Sequence, residues 1–442
     1  MIVEFVGSGA RDTSSPWANT SRLYNCWGEK VEAGGRAQRI LRPVLGMEAY
    51  ATTADVFIRD MFDLDGTLYA AAGDNAYQIA AGSATNLGTI GFGDANFSRN
   101  YAKLTLTSGG KYYVWNGITL VEPTAGAFSS FGSVDFLAGR TLLTEKAGSK
   151  IQWSDLADPN TLPGLNVASA ESRSDAIIRG LVSGGLYYVL GEKSTEIWGA
   201  TGNGGASAFA LLPGMVRDVG LAAFGLVCRV DGGLFLVGND GIVYLAAGTT
   251  FTPVSIAPVA TAIKDGTPVS CLYWEDRGHK FAAIVFNDRP AWVYAFTTGE
   301  WFERGEGVDY QSWRARVSVK SGDWLIGAED GGIYTLTGLE DAGKPLLREA
   351  TAFPVYADGA YFSVPEMEVF ASSGAADASV MLTVCKDGIW QLPRAGTLSR
   401  AGQDRSRALF RGLGRAREFT FKVGVSDPVD VPLWSAARLR TA

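Results

Sequence analysis

Histidine is almost missing: His279 is the only one in 442 residues. Mechanisms that need two imidazoles are thereby excluded, including most His-ligated zinc and iron sites. His279 lies in DRGHKF, between a turn and an apolar run, and reads as a turn residue. Cysteine is scarce too. Cys26, Cys228, Cys271 and Cys385 form no CxxC pair, and separations of 202, 43 and 114 residues suit neither a zinc module nor a secreted disulfide framework. They are expected as buried free thiols. The most apolar stretch, Val219 to Cys228, is far short of the roughly 18 residues that span a bilayer. MIVEFVGSGARD has no basic n-region before a long apolar h-region, so no secretory leader is expected. Lys+Arg 39 against Asp+Glu 46 gives a net charge of −7, without the basic block of a sequence-specific nucleic-acid binder. Helix patterns are confined to two short stretches, Ser172 to Arg179 and Pro258 to Lys264.

Glycine is what the chain has in excess, at 55 residues, and it stands at turns between short β-type runs. Gly66, Gly110, Gly139, Gly185, Gly233, Gly278 and Gly322 each precede an aromatic or aliphatic strand, as in GGLYYVLG and GGLFLVGNDG. Their spacings are 44, 29, 46, 48, 45 and 44 residues. A period near 45 with several strands per unit predicts an all-β fold, a β-propeller of six or seven blades over residues 46–340. Residues 1–45, with Pro16 and Pro43 and no periodic core face, read as an extended N-terminal arm that must pack on something. From 341 to 442 the spacing changes. YFSVPEMEVF, SVMLTVCKDGIWQL and REFTFKVGV alternate like strands of a small separate domain resembling a β-sandwich. Within it Arg394, Arg400, Arg405, Arg407, Arg411, Arg415 and Arg417 form either a solvated loop or a contact for an acidic surface or phosphates.

Tests for catalytic motifs are negative. FDLDGTL, Phe62 to Leu68, matches the aspartyl-phosphatase box of the haloacid dehalogenase family, with Asp63 as nucleophile and Asp65 as acid/base. That chemistry also needs a magnesium site, a lysine and an α/β scaffold, whereas YAAAGDNAYQI follows here and reads as a hairpin. No GxSxG elbow, P-loop or GxGxxG is present; Gly110-Lys111 is followed by Tyr112 and Lys344 by Pro345. Asp63, Glu145, Asp155, Glu171, Glu196 and Glu275 offer carboxylates for a glycosidase, but no spacing singles out a pair. Most of the 12 tryptophans fall at strand ends and read as blade packing. No catalytic residue, cofactor or metal is expected.

One stretch is more specific. From Trp153 to Gly214 the chain carries Ser-Asp-x-x-Asp-Pro (Ser154 to Pro159), Ala-Ser-Ala-Glu (Ala168 to Glu171), Asp175, Gly-Glu-x-Ser-Thr-Glu-x-Trp (Gly191 to Trp198), Thr201-Gly202 and Phe209. LGTIG, FLAGR, LVGNDGIVYL and the arm pattern Asn25-Cys26-Trp27-Gly28-Glu29 with Arg42-Pro43 add to that order. In this order of motifs, over residues 20–265, the chain resembles the packaged-DNA stabilisation, or tail-nozzle, proteins of short-tailed bacteriophages. The resemblance implies a virion structural protein and not an enzyme. It implies a hexameric ring of the tail below the head-to-tail adaptor, beside tail spike or fibre proteins. Such a ring retains the genome and lets viral double-stranded DNA pass without sequence preference. Assembly would take place in the host bacterial cytoplasm, and no membrane-spanning segment is expected. Six copies at −7 would carry −42, so an acidic lumen would repel the phosphate backbone and let it slide. The candidate interface residues are the family-like loop residues Glu171, Asp175, Glu196, Thr201 and Asn203, with Asn25 and Glu29 of the arm; ordinary turn and capping chemistry is the competing role for each. The alternative function is a monomeric β-propeller that binds or hydrolyses a polysaccharide, recognisable by a pocket holding two carboxylates.

Overall fold

The computed structural model describes residues 2–5, 21–31, 39–124, 126–372, 377–398, 405–430, 432–434 and 436–441. Pro16 and Arg400 lie outside them. Nearly every element is a strand; the helices among the described residues are Ala257–Asp265 and the single 3-10 turn Gly205–Ser207. The first matches the expected stretch 258–264, with a proline in its first turn. The stretch 172–179 forms no helix: its end enters the strand Ile177–Ser183.

Seven blades surround one axis. Six are four-stranded antiparallel sheets within residues 58–89, 95–121, 131–169, 177–217, 227–253 and 268–304. Blade 7 takes three strands from 315–336 and its outermost from Met47–Thr52, which pairs antiparallel with Gly332–Leu336. The ring is thus closed by hydrogen bonds between the two ends of the propeller segment. Strands such as Gly233–Val237 are buried along their whole length, since adjacent blades cover both faces. This is why they read as continuous apolar runs.

The hairpin between the first two strands of a blade is where the sequence period originates. Asp65-Gly66 and Arg277-Gly278 hold positive φ at both positions (52°/88° and 50°/79°), the geometry of a two-residue turn that follows strand twist. Gly110 does not belong to this set, for it closes the second hairpin of blade 2. The equivalent turn there is Tyr101-Ala102, between Asn100 and its partner Lys103, and it contains no glycine. With that correction the irregular 44 and 29 become 36 and 37, two short blades followed by longer ones.

Residues 345 onward form a β-sandwich, and the segment expected as an arm is woven into it. Cys26–Lys30 and Arg39–Pro43 pair with each other and join a seven-stranded sheet with Leu433–Trp434, Glu366–Ser372, Arg405–Arg411, Ala436–Arg440 and Ile2–Glu4. Arg22–Tyr24 lies between Glu300–Arg304 of blade 6 and Arg348–Thr351, so blade 6 and one sandwich layer form a single eleven-stranded sheet. Arg22–Glu303 and Arg39–Glu300 ion pairs brace this seam. One core runs through it, uniting Trp27, Phe281 and Trp313 with Met367, Phe410 and Phe421.

Candidate functional site

The first strands of six blades line a cavity on the axis of about 1080 Å³, walled by Arg59, Asp60, Arg179, Arg229, Tyr273 and Lys320, among others, and reached from blade 3 by Lys146. Polar side chains on these strands bind the backbone of an adjacent blade. Asp60 accepts the Phe97 N–H at 2.7 Å; Asn96 gives to the Val134 carbonyl at 2.6 Å and accepts its N–H at 3.0 Å. Ser133 accepts the Gly180 N–H at 2.8 Å, and Asp135 the Val182 N–H at 2.6 Å. Ser183 donates to the Gly233 carbonyl, and Ser318 both accepts from and donates to the Tyr273 backbone. The residues so joined are 37, 38, 47, 47, 50 and 45 apart. The blade period therefore reappears as the sequence separation of these bonds. A polar residue recurring at that period inside an otherwise apolar first strand was the signal sequence reasoning missed.

Some charges in the wall are paired, whereas Arg59 and Arg179 keep buried guanidinium nitrogens without a hydrogen-bond partner among the described residues. Arg229 pairs with Asp135, Lys280 with Asp231 and Arg316 with Glu329. Arg59 donates to the Gly93 carbonyl and to Ser108; Arg179 donates to the Phe224 carbonyl at 3.0 Å and lies 4.4 Å from that ring. Both arginines have Asp60 and Asp94 as electrostatic neighbours. Burial pushes the Asp60 carboxyl up to about 6, against the pull of Arg179. This arrangement fixes blades relative to one another. No group of three or more His, Cys, Asp or Glu among the described residues could hold a metal. All four cysteines are free, and burial raises their thiol pKa, that of Cys26 to about 12, so none is an activated nucleophile.

The phosphatase-like box is a hairpin. Asp63 accepts the Gly66 N–H at 2.9 Å and the Ser321 hydroxyl, while Asp65 occupies the turn and pairs with Arg99. His279 rests beside the Trp27 ring, 4.5 Å between centroids, and bonds Thr297 at 3.2 Å.

The seven candidate interface residues fall in three places. Asn25 is fully buried with φ 53°; it accepts the Gly305 N–H at 2.9 Å and donates to the Leu347 carbonyl at 2.8 Å. Glu29 pairs with Arg42 on the adjacent strand, 2.6 Å away. In blade 4, Asp175 accepts the N–H groups of Lys193 and Ser194 (2.8 and 3.0 Å). Glu196 is buried and takes bonds from the Ser172 N–H and the Trp198 indole (2.8 and 2.9 Å). Glu171 is exposed beside them and accepts from Ser149. Thr201 and Asn203, also exposed, lie at the opposite end of the strand Thr195–Ala200, where the Thr201 hydroxyl accepts the Asn203 N–H. The structure brings Glu171, Asp175 and Glu196 together and leaves the other four apart from them.

A family described as bacteriophage P22 Gp10, beta-propeller, matches residues 8–338, and its companion, bacteriophage P22 Gp10, beta-sandwich, matches residues 349–441. The chain belongs to the bacteriophage P22 Gp10 family. It is therefore a phage virion structural protein of the kind that stabilises packaged DNA. The two matched parts correspond to the propeller and the sandwich, except that the first match also takes in strands 22–43, which the fold joins to the sandwich, and the family is the one the motif order from Trp153 to Gly214 resembles. Among curated proteins nothing matches. Solved structures that resemble this P22 Gp10 relative include one titled crystal structure of mitotic checkpoint complex (14% identity, TM-score 0.46, 70% of this chain and 98% of that one). Another is Raptor of Chaetomium thermophilum (10%, 0.43, 68% and 30%), and a third is BBS1N in complex with ARL6DN (13%, 0.39, 68% and 96%).

Proposed function

We propose that this P22 Gp10-family protein forms a hexameric nozzle ring in the phage tail, below the head-to-tail adaptor, where it retains the packaged genome and forms the channel for DNA ejection. The observation that carries the reading is the coupling of the two matched parts. The propeller and sandwich share one continuous sheet and one core, so each subunit is a stiff two-part wedge without a hinge at its domain boundary. Stiff subunits with closed propellers and few free sheet edges suit a ring that must resist pressure from within.

The charge distribution supports passage of DNA along such a ring. Residues 345–442 hold 12 lysines and arginines against 10 aspartates and glutamates, a net +2, which leaves −9 for the rest. An acidic propeller side facing the lumen would keep phosphates at a distance and let the duplex slide. Glu171, Thr201 and Asn203, the exposed members of the candidate set, are loops that reach a neighbouring copy, the adaptor or a spike or fibre protein. Virion incorporation follows assembly in the host bacterial cytoplasm.

Light scattering of the purified chain, alone and with the adaptor–portal complex, tests this. A ring of about six copies on the adaptor is expected. A persistent 47.0 kDa monomer without affinity for that complex would overturn the reading and favour a glycan-binding propeller.

A further inference from the structure

We infer that the free edge of the β-sandwich docks head-to-tail on the outer rim of blades 2 and 3 of a second copy. The inference rests on the ring reading and adds the two surfaces that make the ring.

The first surface is the far edge of the eleven-stranded sheet. Blade 6 occupies one end of that sheet; Ile389–Trp390 and Arg394–Thr397 occupy the other, both paired only with Ser379–Lys386. An unpaired edge is a template for association, and proteins usually blunt it with polar side chains. Here the connection carries Ile389, Trp390 and Leu392 in the open, Leu392 at 88% exposure. Arginines frame them. Arg394 donates to the carbonyls of Arg411 and Gly412, and Arg415 and Arg417 stand over the exposed Tyr361 ring at 5.5 and 4.7 Å. Among the described residues none of the guanidinium groups of Arg394, Arg415 and Arg417 has a carboxylate within 4.0 Å, although the Arg417 backbone N–H donates to Asp387 at 2.9 Å. Exposed Trp, Tyr and Arg around apolar anchors are the residue types that dominate protein interfaces; a phosphate-binding surface has no use for Leu392 and Ile389.

The second surface lies across the molecule. In a ring of seven, blades 2 and 3 are three places from blade 6 in either direction, hence opposite to it. Their outer strands and loops expose Ile118 (82%) and Leu165 (83%), with Leu156 and Val121. The loop 154–166 that carries Leu156 and Leu165 also carries the half-exposed Asp155 and Asp158, each 3.9 Å from a cation outside the loop, Arg140 and Lys103. The two surfaces are therefore apolar at the centre, lie at opposite ends of a stiff subunit, and offer unpaired guanidinium groups on one against half-exposed carboxylates on the other. Different patches on the two ends make a heterologous contact, which repeats by rotation and gives a ring when that rotation closes.

The test uses the full chain with two double variants of exposed residues, Trp390→Ser with Leu392→Ser, and Leu156→Ser with Leu165→Ser. Circular dichroism and melting temperature confirm that each folds. Sedimentation velocity, alone and with the adaptor, should show self-association weakened at least about 100-fold in each variant. Mixed one to one, each variant has one intact surface, so the mixture should form dimers and stop there. Variants that assemble like the wild type would overturn the inference and leave the ring reading intact. Loss of assembly with no dimer in the mixture would show that the two surfaces do not meet, and would also overturn it. Unchanged self-association with lost binding to the adaptor or to duplex DNA would assign the surface to that partner instead. A wild-type chain that never forms a ring would overturn both readings.

Discussion

Replacing Asp341 by asparagine should be among the most damaging single changes outside the apolar core. Arg304, at the end of the outermost strand of blade 6, makes a two-pronged pair with Asp341 at 2.6 and 3.0 Å. Both side chains are 1% exposed. Arg304 also donates to the Gly305 carbonyl and lies 5.1 Å from the Trp313 ring, while Asp341 sits beside Met47, at the start of the strand that closes blade 7. Removing the carboxylate leaves a buried guanidinium with only neutral acceptors, the Gly305 and Leu45 carbonyls and Asn25, which costs about 3–5 kcal/mol. An unfolding entropy of about 2.1 cal/mol/K per residue gives a chain of this size roughly 0.9 kcal/mol/K, so the melting temperature should fall by about 3–5 °C. Differential scanning calorimetry at low protein concentration is the assay. The control is Arg304→Met with Asp341→Leu, which removes both charges and should restore most of the loss. A shift under about 1 °C for Asp341→Asn, or a double variant as unstable as the single one, would refute the reasoning that an uncompensated buried charge sets the cost.

Asn25→Ala should lose about 2–3 kcal/mol in denaturant titrations, because it strands the Gly305 N–H and Leu347 carbonyl and places alanine at φ 53°; Asn25→Gly should recover the backbone part of that loss. Asp60, held near 6 by burial, binds its proton more readily folded than unfolded between about pH 4 and 6. Its contribution to stability is thus full below that window and falls as pH rises through it. Asp60→Asn should flatten this slope and raise stability at pH 7 by about 1–3 kcal/mol, read from melting temperature against pH. Ala51→Asp puts a charge into the closing strand of blade 7 at a buried position and should cost more than about 3 kcal/mol; limited proteolysis should then open the propeller segment. Asp63→Asn should leave phosphate-ester turnover with magnesium unchanged from the wild type, since Asp63 serves the Gly66 turn and Ser321.

Glycine turns made the propeller legible. They mark the first hairpin in blade after blade, because tight two-residue turns demand a positive φ that glycine adopts without strain. The period slipped at blade 2, where Ala102, after Tyr101 at φ 52°, stands in the place of the glycine and Gly109-Gly110 serves the next hairpin. The helix at 257–265 was legible from its own residues. The stretch 172–179 was not, because Asp175 spends its carboxylate on the Lys193 and Ser194 amides. Residues 22–30 showed no period for a different reason: Tyr24, Asn25, Cys26 and Trp27 are all buried, and the strands that pair with Arg22–Tyr24 lie some 280 to 330 residues away along the chain. The channel network was hidden likewise, since each of its bonds joins residues a whole blade apart. The surface of the sandwich edge was half visible as a run of arginines; what the sequence lacked was the neighbourhood of Tyr361 and Trp390.

The strand Met47–Thr52 also has a meaning in time. Its partner Gly332–Leu336 is made about 285 residues later, and at roughly 5–20 residues per second a ribosome takes some 15–60 s to reach it. Throughout that interval blades 1 to 6 can form one by one as they emerge, while the earliest strand has no place to go. The strands Arg22–Tyr24 and Arg39–Pro43 wait longer still, for Arg348–Thr351 and Leu433–Trp434. The oldest part of the chain is the last to be fixed. A chain cut short before Gly332–Leu336 therefore presents an open ring, and one cut short before Arg348–Thr351 and Leu433–Trp434 leaves its early strands unpaired.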